Sequence, residues 1–190
     1  MNGAYLLTEV IQQGMRPIVG WRSAVNDDAD EVRKLVFGVL REYGLSPDPA
    51  CTDADLTDIE RNYHGRGGCF ELLIEENGRL GGCYGLYPLA AGLCELRKMY
   101  LRKDLRGRGL GKLMLQRALA QARSLQFNRV QLETAHVLQK AITLYQSFGF
   151  RTFRPEHMSA RCDCAMYLDL ATLNGQTPAQ GDQSYAAKES

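Results

Sequence analysis

The sequence of 190 residues lacks several features that would place it in particular classes of protein. No apolar run approaches the roughly 18 residues of a membrane-spanning helix, and the N-terminus has neither the basic start nor the long apolar core of a secretory signal. Charge of one sign is not in excess, because 23 lysines and arginines face 22 aspartates and glutamates, for a net charge of +1. We therefore expect a cytoplasmic protein that binds neither membrane nor nucleic acid.

The cysteine and histidine spacing of metal sites is also missing. The six cysteines form no Cys-x-x-Cys pair, and none of the three histidines stands at zinc-finger spacing. Cys162 and Cys164 share one face of a strand-like run, but a metal or redox site there is the less favoured interpretation. We interpret the cysteines as small buried side chains in a reducing compartment, and we expect no metal.

What the sequence does have is the composition of one soluble domain. Hydrophobic residues make up 45% and charged residues 24%, and the length suffices for one substantial core. Residues 1–16 precede the first strand signal and are predicted to be an extension. Residues 17–170 carry the patterns of a domain, and the small, polar residues 171–190 are predicted to be a disordered tail.

Hydrophobic periodicity predicts the secondary structure of this domain. The predicted strands are Pro17–Ser23, Cys69–Glu75, Leu80–Tyr87, Leu93–Leu101, Val130–Thr134, Phe150–Phe153 and Ala165–Leu170. The predicted helices are Asp30–Tyr43, a weaker Asp53–Tyr63, Leu110–Ser124 and Val137–Phe148. The order β-α-α-β-β-β-α-β-α-β-β predicts an α/β fold with one mixed sheet and helices on its faces.

Positive charge is concentrated around one glycine-rich segment. Residues 97–112 carry seven basic residues and one acidic residue, a local charge of +6, and residues 106–112 read RGRGLGK. The segment is not a Walker A loop, because Leu113 follows Lys112 where that motif needs serine or threonine. It is not a Rossmann fingerprint either, because position 112 is not glycine.

The pattern Arg106-x-x-Gly109-x-Gly111 follows a predicted strand and opens a predicted helix, which favours an anionic ligand. Glycines allow backbone N–H groups to converge, and the helix N-terminus adds a favourable dipole. The side chains of Arg106, Arg108 and Lys112 can neutralise a diphosphate. The alternative is a basic loop that caps the helix and binds nothing.

Three linked stretches follow one another in the sequence: CELRKMYLRKDLRGRGLGKLML, VQLETA and AITLYQSFGF. Together they resemble the GNAT superfamily of N-acetyltransferases, and the resemblance covers roughly Pro17–Leu170. It implies a single domain with a mixed, mostly antiparallel sheet and acetyl-CoA as acyl donor. In this family the signature Gln/Arg-x-x-Gly-x-Gly/Ala binds the pyrophosphate, and the strand before it pairs with the pantetheine arm. The residues implied in binding are Met99, Tyr100, Leu101, Arg106, Gly107, Arg108, Gly109, Leu110, Gly111 and Lys112.

The resemblance also implies acetyl transfer to a primary amine of a small molecule or peptide, directly within a ternary complex. A base is needed because amines are mostly protonated at neutral pH. Glu95 is the first candidate, at a position where many family members place a base, although it could simply pair with Arg97 or Lys98. Glu133 is the weaker candidate and could instead orient the cofactor or brace the sheet.

Tyr145 is the candidate acid for the departing thiolate. By spacing alone it is a core tyrosine on the helix face that it shares with Leu138. In the family, a tyrosine of the LY-x-x-x-GF segment donates a proton to coenzyme A, and Leu144–Phe150 matches that segment. A backbone N–H near Met99 would hold the oxyanion.

The acceptor pocket is expected, from the resemblance, at the loops Leu45–Thr52 and Arg154–Arg161. The side chains that could line it are Asp48, His64, Arg154, Glu156, His157 and Arg161, although each such residue is more often solvated. We interpret His136 as a residue near the cofactor or at a helix cap.

Two other functions compete with catalysis. A non-catalytic sensor or interaction module would bind acetyl-CoA but lack a working acid, base or open acceptor pocket. An RNA or DNA contact would use the basic stretch, but the near-neutral total charge and the lack of interleaved aromatic residues disfavour it. A homodimer is an expectation from the family alone.

Overall fold

One sheet organises the computed structural model, which describes residues 18–170. The predicted extension at residues 1–16 and the predicted tail at residues 171–190 lie outside the described residues. The strands of the sheet are β1 (Ile18–Ser23), β2 (Cys69–Glu75), β3 (Leu80–Ala90), β4 (Leu93–Leu101), β5 (Arg129–Thr134), β6 (Arg151–Phe153) and β7 (Cys164–Asp169).

The α-helices lie on the faces of this sheet. They are α1 (Ala29–Glu42), α2 (Ile59–Asn62), α3 (Leu110–Ser124) and α4 (Gln139–Ser147). The predicted order of strands and helices is therefore confirmed. In the part of the chain that the structure describes, no helix is long and apolar enough to cross a membrane.

The strand order is β1-β2-β3-β4-β5-β7-β6, and the pairs are antiparallel except for β4 with β5. The prediction of a mixed, mostly antiparallel sheet is confirmed. The parallel pair is short, because it joins only Leu93–Glu95 to residues 129–131. Beyond that point β4 continues to Leu101 and β5 to Thr134 without pairing to each other, so the sheet parts between them.

Two apolar cores, one on each face, hold the sheet between its helices. α1 and the segment that includes α2 cover one face, and α3 and α4 cover the other. Burial at helical spacing explains why these segments are helices: each presents one apolar stripe to the sheet. The stripe of α1 contains Val32, Val36, Val39 and Leu40, and that of α3 contains Met114, Leu115, Ala118 and Ala122.

The second predicted helix, Asp53–Tyr63, is broken in the structure. Ala54–Thr57 forms a single 3₁₀ turn, and α2 begins only after Asp58. Asp58 has non-helical backbone angles (φ −145°, ψ 84°), and its carboxylate accepts a hydrogen bond from the Arg61 N–H at 2.9 Å as an N-cap. The prediction of one continuous helix was therefore wrong here, because the side chain of Asp58 competes for backbone N–H groups that a continuous helix would use.

Candidate functional site

A cleft of about 790 Å³ lies where β4 and β5 part. It follows β4 from Glu95 to Leu101 and continues to Gly107 and Gly111 in the glycine-rich segment. Its other walls come from α1 and the segment after it, from α4 and β5, and from residues 158–162. Both loops that were expected to form an acceptor pocket contribute to this lining.

The glycine-rich segment presents a row of free backbone donors. Gly107 (φ +76°) and Gly109 (φ +78°) adopt left-handed conformations, which favour glycine, and α3 begins directly after Gly109 without a side-chain cap. Within residues 18–170, the N–H groups of residues 107–112 have no hydrogen-bond acceptor. Converging free N–H groups at the N-terminus of a long helix are suited to an anion.

The basic side chains around this segment divide into two groups. Arg97, Lys98, Arg102 and Arg106 form ion pairs with carboxylates. By contrast, Lys103, Arg108 and Lys112 are exposed and have no ion pair with any described residue. Four of the seven positive charges seen in the sequence are thus neutralised, and the other three lie on exposed side chains.

The side chain of Arg106, which was expected to neutralise a diphosphate, also has partners within the protein. Its Nη1 lies 2.6 Å from Glu42 Oε2, and its Nε donates to the Leu101 carbonyl at 2.8 Å. The guanidinium also lies over the Tyr43 ring, 5.5 Å from the centroid. These contacts tie the glycine-rich segment to α1 and to the end of β4, so the side chain braces the segment.

Tyr145 is both a core residue and part of the cleft wall. Its ring is buried, with its centroid 5.6 Å from that of Phe150. Its hydroxyl lies 3.9 Å from the sulfur of Met99, a weak acceptor. Burial raises the pKa of Tyr145 well above its usual value, so the phenol is protonated at neutral pH. The structure thus brings an available O–H to the cleft beside β4.

Glu95 faces the cleft and also pairs with Arg97. Its Oε2 accepts from Arg97 Nε at 2.7 Å, while its Oε1 has no donor in the described part of the chain. Burial raises the pKa of Glu95, the charge of Arg97 opposes that shift, and the negative charge of Glu133 adds to it. The alternative partner that the sequence suggested, Lys98, pairs elsewhere.

Glu133 reaches the same cleft from β5. Its Oε2 accepts from the Ser159 backbone N–H at 2.9 Å and from the Ser159 hydroxyl at 2.6 Å. These donors are neutral, and they hold residues 158–162 against the end of β5. Two carboxylates from adjacent strands therefore line one cleft.

Some of the other candidates from the acceptor loops line the cleft, and others do not. Asp48 and Arg161 line the cleft. Arg154, Glu156 and His157 are exposed and lie outside it.

The two remaining histidines have structural partners. The Nε2 of His64 lies 2.9 Å from the Ala24 carbonyl oxygen, and this side chain is not on the cleft. His136 is exposed, and its Nδ1 lies 2.8 Å from Asp163 Oδ1. This contact joins His136 to the segment before β7 and is not a helix cap, because the N-cap residue of α4 is Leu138.

The cysteines are only partly as expected. Cys69, Cys83, Cys94 and Cys164 are buried, but Cys51 is exposed and both it and Cys162 line the cleft. Among residues 18–170, no group of three or more histidine, cysteine, aspartate or glutamate side chains is placed to hold a metal ion.

A largely buried ionic network in the wall of the cleft was not found from the sequence. Asp53 binds Lys98 and Arg161, and Asp55 lies between Lys98 and Arg97. The Tyr63 hydroxyl donates to Asp55 at 2.6 Å. No local spacing could have indicated this network, because its partners come from segments far apart in the chain.

A family model and a curated relative both identify similar proteins as acetyltransferases. The Acetyltransferase (GNAT) family matches residues 35–150. The uncharacterized N-acetyltransferase YjgM of Escherichia coli is 34% identical over 147 residues, which cover 75% of this chain and 84% of that protein.

Solved structures agree on the fold. A GNAT-family acetyltransferase of Staphylococcus aureus has a TM-score of 0.74 at 23% identity, over 80% of this chain and 98% of its own. A phosphinothricin acetyltransferase of Sinorhizobium meliloti, solved with AcCoA, has a TM-score of 0.63 at 18% identity, over 87% and 95% of the two chains.

Proposed function

The chain belongs to the acetyltransferase (GNAT) family and is an acyltransferase, and from that premise we propose that it moves an acetyl group from acetyl-CoA to a primary amine of a small molecule or peptide. The transfer is direct, within a ternary complex. The observation that carries this proposal is one cleft that is lined by Gly107 and Gly111 of the segment with free N–H groups, by Tyr145 and by Glu95.

The donor binds along β4 and the glycine-rich segment. The N–H groups of residues 107–112 hold the diphosphate, and the unpaired charges of Arg108 and Lys112 are available to it. The edge of β4 at Met99, Tyr100 and Leu101, which β5 leaves free, pairs with the pantetheine arm as an added strand. The relative from Sinorhizobium meliloti supports this choice of donor, since it was solved with AcCoA.

The base acts on the attacking amine, and the acid acts on the departing sulfur. The amine nitrogen attacks the thioester carbonyl carbon, so that a C–N bond forms and the C–S bond breaks. Glu95 accepts the proton that the amine loses, through its free Oε1 or a water. A backbone N–H near Met99 donates to the oxyanion, and the Tyr145 hydroxyl donates a proton to the departing sulfur.

Direct transfer is favoured over an acetyl intermediate on Cys162, one of the two cysteines that line the cleft. Burial raises the pKa of Cys162 to about 11, so this side chain is a thiol rather than a nucleophilic thiolate at neutral pH. An acetyl-cysteine intermediate at this position is therefore disfavoured. Proximity of the amine to an already activated thioester supplies part of the rate.

The test is acetyl-CoA-dependent thiol release across a panel of primary amines, with Tyr145→Phe as the control protein. We expect release with at least one amine and much slower release by the variant. Binding of acetyl-CoA without thiol release from any amine would contradict the proposal and favour the non-catalytic sensor. The homodimer and the cytoplasmic location stay predictions.

A further inference from the structure

Asp53 is the centre of the buried ionic network. Its side chain is 0% exposed, and four N–H groups donate to its carboxylate. Lys98 Nζ donates to Oδ1 at 2.6 Å, Arg161 donates to both oxygens at 2.6 and 2.7 Å, and the Asp48 N–H donates to Oδ2 at 2.9 Å. Burial opposes ionisation, but these donors outweigh it and lower the pKa of Asp53 to about 2. The carboxylate is thus charged at neutral pH.

The partners of Asp53 bring three walls of the cleft together. Asp48 belongs to the segment that follows α1, Lys98 to β4, and Arg161 to the segment before β7. All three residues line the cleft, whereas Asp53 itself lies behind it. One buried carboxylate therefore joins segments that are up to 108 residues apart.

Lys98 has an unusual backbone. Its φ is +54°, a left-handed conformation that costs free energy in a residue with a Cβ. The side chain is correspondingly well held, since Nζ donates to Asp53 and to the Thr52 carbonyl and lies 3.3 Å from Asp55 Oδ1. Glycine adopts a left-handed conformation at little cost in free energy, but lysine does not. The contacts of the Lys98 ammonium therefore offset the cost of its left-handed backbone.

The left-handed residue lies at a bulge in β4. The register of β3 with β4 shifts between Cys83 and Gly85, where Lys98 and Met99 stand opposite a single residue. After this shift Met99 lines the cleft, with its sulfur beside the hydroxyl of Tyr145. The left-handed residue thus directly precedes the residue whose sulfur meets the candidate acid.

We propose that Asp53 is a positioning residue, whose carboxylate holds Lys98 in the left-handed conformation and so sets the bulge that presents Met99 to Tyr145. Through Arg161 the same carboxylate fixes the facing wall of the cleft. The effect on turnover rests on the proposed acetyl transfer. The effect on the backbone of β4 does not.

The test compares Lys98→Ala with Lys98→Gly. Both variants lose the ammonium and keep the pair between Asp53 and Arg161, and they differ by one Cβ. Without the anchor, alanine leaves the left-handed region, whereas glycine stays in it. We therefore expect ligand-free crystal structures to show the bulge in Lys98→Gly and a changed register at Cys83 in Lys98→Ala.

Turnover gives the second readout. We expect Lys98→Ala to turn over about 10 to 100 times more slowly than the wild type, because small misplacements of reacting groups have effects of that order. Lys98→Gly should be faster than Lys98→Ala. Likewise Asp53→Asn should be slow, and adding Lys98→Gly to it should restore part of the rate.

The outcomes separate the two proposals. A bulge retained in both lysine variants, or equal turnover by both, would overturn the positioning role and leave an ordinary buried ion pair. If wild-type protein released no thiol with any amine, the proposed acetyl transfer would fail, while the two crystal structures would still decide whether Asp53 sets the bulge.

Discussion

The Tyr145 hydroxyl lies 3.9 Å from the Met99 sulfur, so that α4 and β4 meet across the cleft. Because thioether sulfur is a weak acceptor, this contact leaves the phenolic proton available. We predict that Tyr145→Phe lowers turnover on the order of 100-fold and leaves acetyl-CoA affinity nearly unchanged. Steady-state kinetics and calorimetry test this.

Tyr167→Phe is the matched control for that variant. Tyr167 lies on β7, and its ring packs against Phe153 and Arg151 outside the cleft. Removal of its hydroxyl should leave turnover unchanged. An equal loss in the two tyrosine variants would show that Tyr145 affects the fold rather than the proton transfer.

If Glu95 is the base, the value of kcat/KM should depend on pH. A base must be ionised, and burial raises the pKa of Glu95. The value of kcat/KM should therefore increase as pH rises through that elevated pKa, and decrease below it. We predict that Glu95→Gln removes this acidic limb and lowers turnover at least about 100-fold. A pH–rate profile measures both effects.

Glu133→Gln distinguishes the two carboxylates of the cleft. The charge of Glu133 contributes to the raised pKa of Glu95. Its removal should shift the acidic limb of the profile to lower pH without abolishing it. If the limb disappeared in Glu133→Gln and persisted in Glu95→Gln, Glu133 would be the base.

We predict that a substitution in the glycine-rich segment weakens the binding of acetyl-CoA. Gly109 has a φ of +78°, and a Cβ at this position would meet no protein atom within 4 Å. A side chain there would therefore strain the backbone and crowd the bound ligand, without a clash inside the protein. A β-branched residue is strained in this conformation by about 1 to 3 kcal/mol. Gly109→Val should weaken acetyl-CoA binding at least about tenfold.

Gly78→Val is the control for strain alone. Gly78 also has a φ of +78° and open space around it, but it lies in the turn between β2 and β3. This variant should lose comparable stability and bind acetyl-CoA normally. Normal binding by Gly109→Val would exclude the segment from the donor site.

We predict that no acetyl intermediate forms on Cys162. Because burial raises the pKa of Cys162 to about 11, the side chain is not expected to attack the thioester at neutral pH. Cys162→Ala should retain turnover. Intact-protein mass spectrometry after incubation with acetyl-CoA should show no added acetyl group, whereas a stoichiometric adduct on Cys162 would contradict direct transfer.

Local patterns in the sequence predicted most of the fold. Alternation and helical spacing report burial, and burial decided the strands and the long helices α1 and α3. The break at Asp58 was missed, because capping by one side chain outweighed the helical pattern of Asp53–Tyr63. Element order alone did not reveal where β4 and β5 part.

The candidate site was predictable only where it is local in the chain. RGRGLGK is one contiguous segment, and its glycines indicated free N–H groups correctly. The contact of the Arg106 side chain with Glu42 was not found from the sequence, because the two residues lie 64 positions apart. The pair of Asp53 with Arg161 spans 108 residues, and no periodicity reports contacts of that separation.

Calorimetry of the purified protein with acetyl-CoA, coenzyme A and ATP in parallel tests the central claim most directly. If residues 107–112 form the diphosphate site and the edge of β4 holds the pantetheine arm, the first two ligands should bind with roughly micromolar affinity and ATP should not. Absence of binding by acetyl-CoA and by coenzyme A, or equal binding of ATP, would contradict this account of the cleft.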